Sequence, residues 1–188
     1  MAKIALLPLL LAGAALSGCA GGSALETIGL RKPPELADAL KPARNVPIRL
    51  HAAGKLNVDA QGRPLALVAR IYKLRQEAAF QQAPYDAFLS PQKEKDAFGD
   101  DLVDVKEVML VPGQRYEIVE KVSREAYFVG VVALFHSPAP QRWRLAYAAA
   151  DAAQSGITVG VHGCALSNGA GASAIGSGAK LLSPVPCQ

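Results

Sequence analysis

Between about residue 48 and residue 161, apolar side chains recur at every second position in short runs, and turn residues break these runs roughly every ten positions. That period leaves little room for anything but antiparallel β-structure, because a helix burying one face repeats every 3.6 residues. Residues 48–56 make the first run, and Leu65, Leu67, Ala69 and Ile71 alternate with Arg70 and Tyr72 in the second. Val103, Val105, Met109 and Val111 follow, then residues 115–122. Residues 126–135 are apolar on both faces, as in a central strand covered from two sides. Residues 142–147 alternate Trp143 and Leu145 with Arg142 and Arg144, and Ile157, Val159 and Val161 close the series. Six or seven such strands build a sandwich or a barrel. Pro112-Gly113 suits the central positions of a type II turn, and the strand after it is expected to pair with the strand before it.

The pattern is interrupted between the second and third strands. Residues 76–99 read as a short helical insertion: Ser90 followed by Pro91 has the order of an N-cap and first helical residue, and Gly99 is a stop signal. Phe80, Phe88 and Phe98 would anchor the insertion on the sheet. Residues 167–179 are Gly, Ala and Ser with few exceptions and read as a loop. No internal repeat is visible.

The N-terminus has a different logic. Lys3, an apolar run over residues 4–16 and small residues before Cys19 have the layout of an export signal. The run is too short to span a bilayer core, which takes about 20 apolar residues. A plain secretory signal would end in small residues without a cysteine, so Leu16-Ser17-Gly18-Cys19 points to lipidation at Cys19. Lipoproteins kept at the inner membrane commonly carry Asp after that cysteine; Ala20 stands here and favours the outer membrane, periplasmic face. The expected organisation is a signal peptide over residues 1–18, a lipidated start and flexible tether over residues 19–46, and one β-sandwich domain over residues 47–188. Pro33-Pro34, Pro42 and Pro47 mark the tether, with a short helical turn possible at residues 35–40.

With 51% hydrophobic residues the chain is apolar enough to be globular. Its net charge of +4 is too small and too scattered to predict a nucleic-acid partner. An exported chain meets an oxidising compartment, and once Cys19 is acylated only Cys164 and Cys187 remain to pair. A disulfide is the expectation; two thiols too far apart to join is the other possibility.

Chemistry-bearing patterns are lacking. His51, His136 and His162 stand neither at i, i+4 spacing nor beside a carboxylate, and His162-x-Cys164 falls short of the three or four ligands zinc takes, so no metal is expected. Gly171 and Gly176 have phosphate-loop spacing, but Ser177-Gly178 replaces the required Lys and Ser/Thr. No Ser sits in a nucleophile elbow. Asp100, Asp101 and Asp104 read as a solvated edge. The expectation is a protein that is no enzyme and carries no cofactor beyond its lipid.

With the strands placed, an ordered set of local motifs becomes visible. It comprises Leu56-Asn57 with Gly62-Arg63-Pro64, then Arg70-Ile71-Tyr72-Lys73-Leu74, Ala79-Phe80, Phe88-Leu89 and Asp101-Leu102. Glu107, Pro112-Gly113-Gln114, Gly130-Val131-Val132-Ala133 and Trp143-Arg144 continue it. Over residues 48–147 the chain resembles the TssJ family, also called SciN or VasD, outer-membrane lipoproteins of type VI secretion systems. The resemblance implies a two-sheet, transthyretin-like sandwich and a non-enzymatic bracket that binds the periplasmic C-terminal region of TssM, with no small-molecule substrate. It also implies that the loop joining the first two strands holds TssM, which assigns partner contacts to Asn57, Asp59, Gln61 and Arg63. From residue types alone the same loop is an ordinary solvated hairpin tip. Arg70, Tyr72 and Arg144 would be a second contact face or the polar side of a sheet. After about Asp151 the chain departs from the family pattern, in the Gly/Ala/Ser tract and the Cys164/Cys187 pair. The alternative function is a lipid-anchored β-sandwich that binds a small ligand or cell-wall glycan in a concave pocket.

Overall fold

The computed structural model describes residues 37–176 and Cys187. The signal segment, Cys19, the tether up to residue 36 and the tract beyond residue 176 lie outside the described residues. Within them, β1 (Arg44–Ala52) runs antiparallel to β4 (Arg115–Val122) and parallel to β7 (Ile157–Val161), which pairs in turn with the short β8 (Leu166–Asn168). The second sheet orders β3 (Leu102–Leu110), β2 (Leu67–Leu74), β5 (Phe128–Ala133) and β6 (Arg144–Ala148), all antiparallel. The result is the expected two-sheet sandwich, mainly β, with one parallel pair that the alternation could not disclose.

The register explains the core. Val46, Ile48, Leu50 and Ala52 alternate inward along β1, and Ile157, Val159 and Val161 continue that face on β7. Ala69 and Ile71 of β2 and Val129 and Val131 of β5 face them from the other sheet, all fully buried. Each large apolar side chain removed from water in this way stabilises the fold by about 1.5–3 kcal/mol.

Two boundaries differ from the sequence reading. β1 begins at Arg44, within the stretch expected as tether, because Val46 is already a core residue. Pro47 sits there without penalty, since the ladder to β7 starts only at Ile48 and the strand is paired on one flank. At the other end, Leu56 is no strand residue; it leaves β1 and plugs the core from the following loop.

The turn at Pro112-Gly113 forms as expected, with the Gln114 N–H donating to the Val111 carbonyl at 3.1 Å and Gly113 at φ +78°. Its consequence differs. β3 and β4 do not pair: the turn is a corner that carries the chain from one sheet to the other. Alternation reports which face is buried and is silent on whether two neighbouring runs share a ladder.

Because β3 and β4 edge different sheets, the gap between them is closed by side chains. Lys73 reaches Asp104 at 2.8 Å and Glu120 at 3.2 Å, and Lys106 reaches Glu120 at 2.7 Å. Burial works against the Glu120 charge, yet the Lys106 and Lys73 ammonium groups outweigh it and hold its carboxyl below the ordinary 4.5. A depressed carboxylate stabilises the fold above its unfolded value and loses that contribution as pH falls through its folded one. Glu120→Gln should therefore lower stability by about 2 kcal/mol at neutral pH, and the difference should shrink towards zero in strong acid. Urea unfolding of both proteins at the two pH extremes checks this; an equal deficit at both would remove the ionic explanation.

The insertion consists of α1 (Ala78–Gln82), a 3-10 turn (Tyr85–Leu89) and α2 (Pro91–Phe98). Pro91 opens α2 and Gly99 ends it, as read from sequence; the Ser90 side chain does not cap, and the Ser90 carbonyl instead accepts from the Glu94 N–H at 3.0 Å. Phe80, Phe88 and Phe98 pack around Tyr72 with ring centroids 5.5, 5.7 and 6.1 Å away, so the outer face of the second sheet is covered. Arg70, Tyr72 and Arg144 are thus neither a contact face nor solvated sheet. The Arg70 guanidinium donates to the Phe88 carbonyl at 2.8 Å and to Glu94 at 2.5 Å, the Tyr72 hydroxyl donates to Glu94, and Arg144 donates to the Gln81 and Ala83 carbonyls. They are struts that hold the insertion on the sheet.

A third helix, α3 (Ala149–Ser155), links β6 to β7 and packs against the start of β1. The Gly/Ala/Ser tract is also more ordered than expected. Ser167 and Asn168 belong to β8, and Ile175 bridges to Ala146 at the β6 edge. A side chain at Gly171, where φ is +117°, would lie 2.4 Å from the Gly156 carbonyl, so the small residues here admit close backbone contact.

Candidate partner-binding pole

The strand directions sort the connections into two groups. β1 and β7 run away from the end where β1 begins, as their parallel pairing requires, and the antiparallel strands alternate about them. The β1–β2, β3–β4, β5–β6 and β7–β8 connections therefore meet at the far end. A nine-residue strand at about 3.3 Å per residue puts the two poles roughly 25–30 Å apart.

The β1–β2 connection leads at this far pole. The Leu65 N–H donates to the Leu56 carbonyl at 3.0 Å and the Asp59 N–H to the Arg63 carbonyl at 3.0 Å, which makes a narrow excursion with its tip at residues 59–63. Asp59 organises that tip. One carboxylate oxygen accepts from the Gln61 and Arg63 N–H groups, both at 2.9 Å, and the other accepts from the Arg63 Nε at 2.7 Å. The Arg63 N–H bond, with the other donors, holds the Asp59 carboxyl below the ordinary 3.8. Gln61, Gly62, Arg63 and Pro64 are exposed at the apex.

Asn57 is placed differently from the other three residues assigned to partner contact. It is 5% exposed, sits at φ +46°, and spends its side chain inside the protein. Its Nδ2 donates to the Ala66 carbonyl at 2.9 Å and its Oδ1 accepts from the His136 N–H at 2.7 Å, so it clasps the excursion to the β5–β6 connection. An Asn in a turn reads as a solvated residue until its partners, many residues away, are known. Asn57→Ala should cost about 2 kcal/mol, by orphaning two buried groups and dropping a residue tolerant of positive φ. It should also weaken partner binding without touching the partner. Restored binding in Asn57→Gly at unchanged apex sequence would contradict the clasp, since glycine supplies only the φ.

Beneath the excursion lies the β7–β8 turn. The Asn57 and Val58 N–H groups donate to the His162 and Gly163 carbonyls at 3.1 and 2.9 Å. Cys164, 2% exposed, is joined to Cys187 with Cα atoms 5.5 Å apart, which fixes Cys187 under the loop pole. Closing a loop of 23 residues contributes on the order of 3 kcal/mol in the chain-entropy account. His162 faces the Ser167 hydroxyl at 2.7 Å, not a second ligand. Among the described residues no group of three His, Cys, Asp or Glu side chains is placed to hold a metal ion, and no helix is long and apolar enough to cross a membrane.

Solved structures share this arrangement. A chain described as a type VI membrane complex matches with a TM-score of 0.61 and 26% identity, covering 67% of this chain and 98% of its own. The type VI secretion lipoprotein TssJ1 from Pseudomonas aeruginosa matches with a TM-score of 0.59 and 28% identity, covering 72% and 99%. A chain described as the T6SS protein TssM C-terminal domain from EAEC matches with a TM-score of 0.55 and 26% identity, covering 66% and 97%. No curated protein sequence matches. The two-sheet fold with its capped outer face therefore defines a structural lipoprotein of the type VI secretion class. A family model described as "Type VI secretion lipoprotein, VasD, EvfM, TssJ" matches residues 44–164, more than half of the chain, and the protein belongs to that family.

The match begins at the first residue of β1 and ends at Cys164. Residues 165–188, including Cys187, stand outside it.

Proposed function

We propose that this lipoprotein is anchored in the outer membrane through acyl chains on Cys19 and ties the type VI membrane complex to that membrane by binding the periplasmic C-terminal region of TssM. Residues 1–18 are the export signal, the chain from Cys19 to the start of β1 is the tether, and the sandwich from Arg44 onward is the binding module. The observation that carries the reading is the separation of the poles: β1 begins at one end of the sandwich, and the Asp59–Arg63 excursion projects from the other. A module built this way can hold lipid at one end and protein at the other. Similarity to chains described as a type VI membrane complex and as the TssM C-terminal domain supports the choice of partner.

Gln61 and Arg63, exposed at the apex, make the contacts; Asp59 shapes the turn that presents them. Purified full-length protein in detergent should bind the periplasmic region of TssM in a saturable manner, unaffected by added peptidoglycan fragments. Gln61→Ala with Arg63→Ala should weaken it at least tenfold, about 1.4 kcal/mol. Competition by glycan, with no binding of TssM, would replace this reading by the ligand-binding one.

A further inference from the structure

The family match stops at Cys164, and the cysteine bonded to it stands 23 residues further along the chain. The bond joins the shared body to a segment outside the match. The turn that carries Cys164, residues 162–165, is a junction of three connections. It closes on itself through the His162 N–H and the Ala165 carbonyl at 2.9 Å, accepts from the Asn57 and Val58 N–H groups of the β1–β2 connection, and through the Cys164 carbonyl accepts from the Ala139 N–H of the β5–β6 connection at 2.9 Å. Apolar burial holds this junction weakly. Its own buried cluster is Ala139, Cys164 and Ala165, separate from the main core, and such small side chains remove little surface from water. The strand that follows, β8, is only three residues long. At Gly163 the Cys187 sulfur, the Lys55 carbonyl oxygen and a Val58 methyl converge, since a Cβ there would stand 3.0, 3.3 and 3.3 Å from them. The disulfide therefore sits at the base of the excursion.

We propose that the Cys164–Cys187 disulfide is a positioning element of the partner site, pinning the β7–β8 turn so that the excursion over residues 57–63 stands in the orientation its partner binds. This rests on the proposal that the excursion binds the periplasmic region of TssM. The two backbone bonds that seat the excursion end on His162 and Gly163, the residues directly before Cys164. With the disulfide open, the turn keeps only its backbone bonds and its few small side chains, and the excursion samples orientations other than the bound one. The fold itself survives. The Asn57 side chain still ties the excursion to the Ala66 carbonyl and the His136 N–H, so the seat loosens without the loop detaching. A site that is competent for a tenth of the time binds about tenfold more weakly.

The test measures the affinity of the full-length protein in detergent for the TssM periplasmic region before and after an excess of dithiothreitol. Cys187 is exposed, so the reagent reaches the bond. Each disulfide takes up two electrons and two protons and becomes two thiols, while the reagent closes to its cyclic disulfide. Reduction should lower the affinity about tenfold, and reoxidation should restore it. Cys187→Ser should reproduce the loss with no reductant present. In the Gln61→Ala, Arg63→Ala protein, whose apex contacts are gone, reduction should add little, a result that a merely stabilising bond would not give. Amide hydrogen exchange at Asn57, Val58 and Asp59 should quicken on reduction, while Val129 and Val131 of β5 stay protected. Equal affinity in the oxidised and reduced states overturns the proposal. An equal loss in the native and apex-substituted proteins also overturns it, because the effect would then act outside the excursion. Loss of the near-ultraviolet circular dichroism on reduction does the same, since the bond would be a condition of the fold. No binding by the oxidised protein overturns the partner and this inference together.

Discussion

Phe80→Ala is expected to lower the unfolding free energy by about 3–5 kcal/mol, the cost of truncating a fully buried aromatic side chain and leaving a cavity. Phe80 is the centre of the insertion's attachment. Its ring meets Tyr72 at 5.5 Å, Phe88 edge-on at 5.6 Å and Phe98 at 6.3 Å. The tip of its ring also reaches the sheet, because the residue beneath it is Gly130: a Cβ there would stand 2.6 Å from the Phe80 Cζ. The two positions thus share one volume, and their substitutions should not be additive. Gly130→Ala alone should destabilise by overpacking, about 1–3 kcal/mol, whereas the same change in the Phe80→Ala background should cost less, because the ring it collides with is gone. A thermal or urea unfolding series of the native protein, both single variants and the double measures the coupling. Strict additivity would show that the insertion has shifted off the sheet in solution. The loop pole is built from other connections, so the Phe80→Ala protein, while folded, should bind its partner normally.

Cys19→Ser should abolish secretion while leaving the folded domain and its partner affinity intact, the largest functional effect expected of any single change. The anchor follows from hydrocarbon burial: each methylene placed in the bilayer contributes about 0.8 kcal/mol, one chain holds weakly, and two or more hold stably. Serine offers no thiol for acylation, so all of that attachment is lost at once. In fractionated cells the variant should move from the membrane to the soluble periplasmic fraction. Restoring affinity for TssM cannot compensate, since a bracket held at one end transmits no force. Normal secretion by the variant at native expression would refute the proposed anchoring.

What could be read from the residues divides along physical lines. Burial leaves a trace in sequence: the inward alternation of Ile48 to Ala52, the two-sided apolarity of β5 and the three phenylalanines of the insertion were all visible, because each records contact with the core. Pairing leaves a weaker one. The Pro112-Gly113 turn has the chemistry of a hairpin, and only the third dimension shows that it turns a corner between sheets. Helix α3 had a signal that periodicity in two obscured: Ala149, Ala150, Ala152 and Ala153 are the strongest helix formers, and Gly156 follows as a stop. At the site, Asp59 shows the turn chemistry its residue type offers, in its bonds to the Gln61 and Arg63 N–H groups. Asn57 does not, because its bonds to Ala66 and His136 are made across the fold. The ends of the Gly/Ala/Ser tract that join the sheets were hidden for a further reason. Small residues mark both a loose linker and a backbone pressed against its neighbours, and composition alone does not separate them.

The parallel pairing of β1 with β7 sets an order of events during biogenesis. β1 is the first strand of the domain to be made, yet Ile48 and Leu50 find Ile157 and Val159 beside them only after almost every other element has emerged. Ladders that join distant parts of a chain form slowly, since the intervening segment must be gathered first. On the proposed export route, a chain threaded through the channel from its N-terminus would thus hold β1 open on one flank until the end of transit, and the sandwich would close as a late, all-at-once event.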